Sequence, residues 1–353
     1  MRVRFIDDED VEEGDALSRP PTDAGERSTY SEWHHFTLND DRNGLYGIFN
    51  LALGGDVRDA RQARAGVSLV LHQAGKGWCG TMNLHAFEDA RFTPGEIALG
   101  IGGNSVEYRK DRYFVRGALK DGSIAINATW TPRAAALRVD NLAGVINTFI
   151  VPSLRVDGTL CVRGREYRLD GATGYHDHNW GRWQWGGGLA WHWGYIIQPP
   201  VRMAGGRRTR DDALSLVYGQ VSNGVGAATR HDHALGVWTG RRCRQIFFDD
   251  AVRITSSGTL TGTTVPRVPG VVALLSPGRP HDVPRQIAIH AHDGDDSVDI
   301  ELDVDGAMQF LIPRPDDIGS TTITELVGQY TVRTMLGGSG SEFSYRGFAE
   351  VAR

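Results

Sequence analysis

Short runs in which apolar and polar residues alternate, separated by glycine-containing turns, fill most of this 353-residue chain. Alternation with period two places successive side chains on opposite faces, the pattern of a half-buried β-strand. The clearest pair is Tyr30–Leu38 and Leu45–Leu53. The polar Asn39-Asp40-Asp41-Arg42-Asn43-Gly44 lies between them and reads as a hairpin turn. Further strands are predicted at 66–72, 77–85, 97–101, 105–110, 112–119, 123–131 and 154–160. Asp-Gly turns mark Asp121-Gly122 and Asp157-Gly158. The second half repeats the pattern at 213–221, 234–239, 244–248, 251–256, 286–292, 297–304, 308–311, 321–334 and 342–351. Helical periodicity is scarce: Asp56–Ala65 predicts one short helix and Arg133–Val139 a turn or two. Many short strands and few helices predict an all-β protein of sandwich or barrel type.

A weak internal echo organises these strands. Trp33-His34-His35-Phe36, a polar turn and Leu45-Tyr46-Gly47 are matched downstream by Trp191-His192-Trp193-Gly194-Tyr195, a longer loop and Leu216-Val217-Tyr218-Gly219. Two related β-domains are therefore expected, 29–186 and 187–353, preceded by an acidic, Pro-containing N-terminal arm at 1–28. Gly262–Pro284, rich in Pro and Gly, reads as a long loop suited to a lid.

Composition narrows the function classes. Apolar residues make up 40% and charged residues 23%, ordinary for a globular protein, and the net charge of −5 lacks the basic stripe of a nucleic-acid binder. Arg207-Arg208-Thr209-Arg210 is followed at once by Asp211-Asp212 and reads as a solvated loop. Three dispersed cysteines, Cys79, Cys161 and Cys243, form neither a disulfide framework nor a Cys-x-x-Cys zinc site. No signal-peptide core or run of about 20 apolar residues occurs, so a cytoplasmic protein without membrane insertion is expected. Oligomeric state has no signature in the sequence.

Candidate chemistry concentrates in Gly174-Tyr175-His176-Asp177-His178-Asn179-Trp180-Gly181. Five of nine tryptophans fall between Trp180 and Trp193. In an extended strand Tyr175, Asp177 and Asn179 share one face, and His176, His178 and Trp180 the other. The first face offers a phenol, a carboxylate and an amide to a pocket. There Asp177 would be a general acid or base, in an apolar aromatic surrounding that disfavours its charged form. An aspartate satisfied by backbone amides at a turn is the alternative. His176/His178, His231/His233 and His290/His292 all have His-x-His spacing, which can put two imidazoles on one metal. The sequence names no third ligand, and no metal or cofactor is assigned. No nucleophile elbow, P-loop or His-Glu-x-x-His occurs, and Gly100-Ile101-Gly102-Gly103 lacks a dinucleotide-site context.

The octapeptide is close to the Gly-Tyr-His-Asp-His-Gln-Trp-Gly signature of the carotenoid 1,2-hydratase (hydroxyneurosporene synthase) and AttH-like superfamily. Glu32-Trp33-His34-His35 resembles that family's Glu-Trp-Trp-Tyr opening. The resemblance spans residues 30 to 353. It implies two packed lipocalin-like β-domains, with fungal Diels–Alderases as more distant relatives. It also implies protonation of an alkene with the motif's Tyr and Asp involved, positions held here by Tyr175 and Asp177. The carotenoid members carry a His-x-Trp pair ahead of the motif where this chain has Asn147-Thr148-Phe149, which speaks against a carotenoid substrate and against hydration by the same residue set. The expectation is cofactor-independent hydration, isomerisation or cyclisation of an apolar polyene or terpenoid between the two domains. Tyr175, Asp177, His176 and His178 would be catalytic, and Trp33, His34, Asn179, Trp180, Trp191, His192 and Trp193 would contact substrate. A pericyclic cyclase and a non-catalytic lipid or terpenoid carrier are the alternatives.

Overall fold

The structure is a computed structural model that describes residues 1–353 except 8–9, 24–25, 27, 199–201, 204–205, 208–212, 225–227, 276–282 and 315–319. The Arg208–Arg210 part of the basic cluster and the centre of the Pro/Gly-rich stretch lie outside the described residues. Two compact units form, Met1–Gln184 and Trp185–Arg353. The fold is all-β, built of two large antiparallel sheets, one of them a nearly closed barrel.

In the first unit a single 14-stranded sheet runs Gly77–His85, Arg64–Gln73, Leu45–Gly54, Tyr30–Asp40, Ala172–Arg182, Ile146–Val162, Ile124–Pro132, Arg112–Ala118 and onward. Its inward residues meet in one core that includes Phe36, Leu69, Val106, Tyr113, Trp130 and Leu160, each at most 3% exposed. The gap left among Phe36, Leu69, Ile126, Trp130 and Leu160 gives a water's centre about 10 Å³, room for about one water. At this point the interior is closely filled by side chains.

Several expectations change. The described part of the N-terminal arm is docked on the first unit rather than loosely draped. Arg2–Ile6 pairs with Ala136–Leu142, and a one-turn helix at Val11–Gly14 follows. Val11 and Leu17 are buried, because an apolar residue on each side of Asp15 inserts into the core. Ala136–Leu142 is a strand rather than a helical turn, since it lies between Arg2–Ile6 and Ile146–Val162 and completes two hydrogen-bond ladders. Residues 56–63 form turns, not a helix. Pro152 sits inside Ile146–Val162, where a register shift between Val151 and Leu154 spares the ladder its missing N–H. The Pro/Gly-rich stretch holds Arg267–Val268, which pairs in parallel with Asp296–Pro313, and a short helix at Gly270–Leu275.

The second unit's ten-stranded sheet follows the order Arg242–Phe248, Arg230–Thr239, Leu214–Asn223, Ala190–Ile197, Ser339–Ala352, Ser320–Leu336, Asp296–Pro313, Gln286–Asp293, Val252–Ser257. The echo in the sequence is topological. In each unit the Trp-bearing opening strand (Tyr30–Asp40 or Ala190–Ile197) lies between its hairpin partner and the unit's last strand. Trp33 stands opposite Asn179 of the closing strand Ala172–Arg182, and Trp193 opposite Glu350 of Ser339–Ala352.

Candidate functional site

The octapeptide is extended along the closing strand of the first unit, so its side chains alternate as expected. Its two glycines have packing reasons. A Cβ at Gly174 would lie 2.6 Å from the Thr37 carbonyl oxygen, the acceptor of the Trp130 indole N–H at 2.8 Å, and a Cβ at Gly181 would strike the Val145 carbonyl. Tyr175 N–H donates to Thr37 Oγ1 at 3.0 Å.

His176, His178 and Trp180 face the core, with both histidines fully buried. Asp15, delivered by the N-terminal segment, sits between the two imidazoles. His176 Nε2 lies 3.0 Å from Asp15 Oδ2, and His178 Nδ1 lies 3.0 Å from Oδ1. Tyr113 Oη donates to Oδ2 at 2.7 Å. The remaining nitrogens are used too: His176 Nδ1 is 2.9 Å from the His35 carbonyl, and His178 Nε2 is 2.8 Å from Glu32 Oε1. Glu32 also accepts from Ser18 N–H at 2.6 Å, Ser18 Oγ–H at 3.0 Å and the Tyr30 hydroxyl. His34 stacks on His178 with centroids 4.1 Å apart. Trp180 is roofed by the Arg138 guanidinium 4.7 Å from its ring. His176 and His178, expected to be catalytic, and His34 and Trp180, expected to contact substrate, thus lie on the core side of their strands, the two motif histidines hydrogen-bonded within a buried network.

The network sets the unit's pH response. Burial opposes charge on Asp15, but the charge of His176 and hydrogen bonds from His176 and His178 outweigh it and hold the carboxyl far below 3.8. Burial likewise opposes charge on His178, yet Asp15 and Glu32 lift it from 6.5 to about 9. Burial, then the charge of His178, keeps His34 neutral well below 6.5, and burial, then His176, lowers His35 to about 3. A raised His178 stabilises fully below 6.5 and loses that contribution as pH climbs through about 9. The depressed histidines lose theirs as pH falls from 6.5 towards their folded values, and Asp15 adds a loss below 3.8. Thermal unfolding followed from pH 3 to 10 is therefore expected to peak near pH 6.5 and fall on both sides. A melting temperature that rises steadily from pH 6.5 to 9 would contradict the His178 assignment.

The opposite face carries Tyr175 (1% exposed), Asp177 (5%) and Asn179, whose Nδ2 donates to Asp177 Oδ1 at 2.5 Å. Register adds neighbours that spacing within one strand does not supply. His35 and Ile150 lie opposite Asp177, and Trp33 and Thr148 lie opposite Asn179. Paired residues on adjacent strands share a face about 4.5–5.5 Å apart at Cβ. It is thus His35, not His34, that joins the Asp177 face. Thr148 is fully buried there, and its hydroxyl has no hydrogen-bond partner among the described residues. Trp33 meets Trp183 edge to face at 5.4 Å.

In the second unit Trp191 and Trp193 share a face, and the Trp191 indole donates to Glu350 Oε1. Glu350 lies directly opposite the buried Glu325 and is hydrogen-bonded to it. Burial is the larger influence and raises Glu350 above its ordinary 4.5. This carboxyl pair has no motif to reveal it. Glu325 and Glu350 are 25 residues apart in an otherwise apolar alternation, and only the strand register unites them. His192 turns to the other face, and burial, then Arg353, lowers it to about 4.

The other His-x-His pairs do not form sites of this kind. His231 and His233 stack along Arg230–Thr239 at 6.4 Å, and His290 pairs with Asp299 in an exposed contact. The three cysteines are free and half-buried. Among the described residues no helix is long and apolar enough to cross a membrane.

No protein-family model and no curated protein sequence matches the chain. Solved structures do. A putative AttH from Nitrosomonas europaea superposes with a TM-score of 0.60 at 14% identity, covering 96% of this chain and 97% of that one. Kievitone hydratase from Nectria haematococca gives 0.58 at 11%, covering 96% of each chain. CghA in complex with Sch210972 gives 0.52 at 11%, covering 96% and 93%. At these identities the shared property is the fold, over nearly the whole chain.

Proposed function

We propose that this protein is an enzyme that protonates an uncharged, unsaturated substrate at Asp177 and directs its hydration, isomerisation or cyclisation. The observation that carries this reading is the polar face of the closing strand. Asp177, Tyr175, Asn179, His35 and the unpartnered Thr148 hydroxyl gather on one side of the sheet, while both histidines of the motif are hydrogen-bonded on the other. A buried polar group left unpaired costs about 1–3 kcal/mol, so the Thr148 hydroxyl on the same side as this carboxylate favours a ligand-binding role for the face. The hydratase and the CghA complex among the fold relatives support the reaction class.

In hydration, the Asp177 O–H bond breaks as the alkene π pair takes its proton to form C–H. Aromatic faces such as Trp33 stabilise the cation that develops on the other carbon. Water adds there and gives its proton to His35, which is neutral at pH 7, and the proton returns to Asp177. Tyr175 and Thr148 orient the water. The test is turnover of a panel of prenylated and linear polyene probes in deuterated water. One deuteron bound to carbon per product is the expected result. A cyclised product without carbon-bound deuterium would replace proton transfer with a pericyclic reaction ordered by the same face.

A further inference from the structure

We propose that Asp15, His34 and His176 bind one divalent transition-metal ion of the zinc type within the core of the first unit. The three donors lie within 4.8 Å of one another, and each side chain is fully buried. Zinc–ligand bonds of about 2.0–2.1 Å put tetrahedral donors about 3.3 Å apart. The observed spacings bracket that value: 3.0 Å from His176 Nε2 to Asp15 Oδ2 and 4.0 Å from His34 Nδ1 to Asp15 Oδ1.

The independent pointer is His34. Its ring is 0% exposed, neither nitrogen has a hydrogen-bond partner among the described residues, and Nδ1 lies 4.0 Å from Asp15 Oδ1. A ring needed only for stacking would serve equally well as phenylalanine. His176 has the orientation of a metal ligand: with Nδ1 held at the His35 carbonyl, Nε2 is the nitrogen that reaches Asp15, where a metal can take the place of the bridging proton. Tyr113 and His178 hold the carboxylate from outside, as supporting groups hold ligating carboxylates. Two imidazoles and one carboxylate suit zinc and its neighbours rather than calcium or magnesium. The enclosed position gives the ion a structural task, tying the N-terminal segment to both central strands. It is independent of the chemistry proposed for Asp177.

The test uses the full chain, refolded with one equivalent of Zn²⁺ or Co²⁺ and then dialysed against metal-free buffer. About one ion per chain is expected to be retained, with visible absorption of tetrahedral Co²⁺ and a higher melting temperature than the chelator-refolded protein. His34→Phe keeps the stacking ring and should lose both the ion and the metal-dependent stabilisation. Wild-type protein that retains less than about a tenth of an equivalent and melts alike with and without metal overturns the proposal. So does a His34→Phe protein that retains the ion, or one that is more stable than zinc-refolded wild type. Should His34→Phe fail to fold, the wild-type metal content and Co²⁺ spectrum decide alone.

Discussion

Asp15→Ala is expected to destabilise the protein by about 3–5 kcal/mol, the cost of removing one partner from a buried charged pair. Asp15 is fully buried and accepts from His176, His178 and Tyr113. Alanine leaves three polar groups facing an apolar cavity and leaves the raised His178 charge with Glu32 alone. A compact unit of this size shifts by about 2–4 °C per kcal/mol, so a melting temperature about 6–20 °C lower is the expected reading. Asp15→Asn keeps the volume and one carbonyl acceptor and should cost less. Glu13→Ala, an exposed change two residues away, should stay within about 0.5 kcal/mol. Near-equal melting of Asp15→Ala and Glu13→Ala would mean that the N-terminal segment does not close the core.

Asp177→Asn is expected to leave the fold intact and lower turnover by about 10²- to 10⁴-fold, the range for loss of a positioned general acid. Asparagine fills the same space, and its carbonyl oxygen can accept the Asn179 amide that now bonds Oδ1 at 2.5 Å. What it lacks is a proton to give to carbon. The loss should fall on kcat more than on KM, because the missing interaction forms only as the C–H bond forms. Tyr175→Phe should have a smaller effect, since the phenol orients water without supplying the proton. Product formation within about threefold of wild type by Asp177→Asn, with unchanged melting, would sink the general-acid role.

The octapeptide shows how sequence and structure divide the information. Strand period is local, so the split between Tyr175–Asp177–Asn179 and His176–His178–Trp180 could be read from six letters, and the observed strand has that split. The all-β class and the repeated Trp-bearing hairpin were equally legible, because alternation and turn chemistry are properties of neighbours in the chain. What alternation cannot say is which face turns inward: His176, His178 and Trp180 point into the core of the first unit, where the two histidines meet Asp15. The same rule applied to Tyr30–Asp40 would have grouped His35, not His34, with Trp33.

The partners that give the histidines and the carboxylates their roles come from distant segments. Asp15 reaches His176 across 161 residues from a stretch whose acidity and prolines resemble a solvated arm, and its burial follows from two apolar anchors, Val11 and Leu17. Glu350 meets Glu325 through register alone. The amino-acid order therefore determined the strands and the two faces of each, since those depend on a two-residue period. Tertiary structure decided which groups were buried together: two carboxylates make His178 a cation against the cost of burial, while burial keeps His34 a neutral ring.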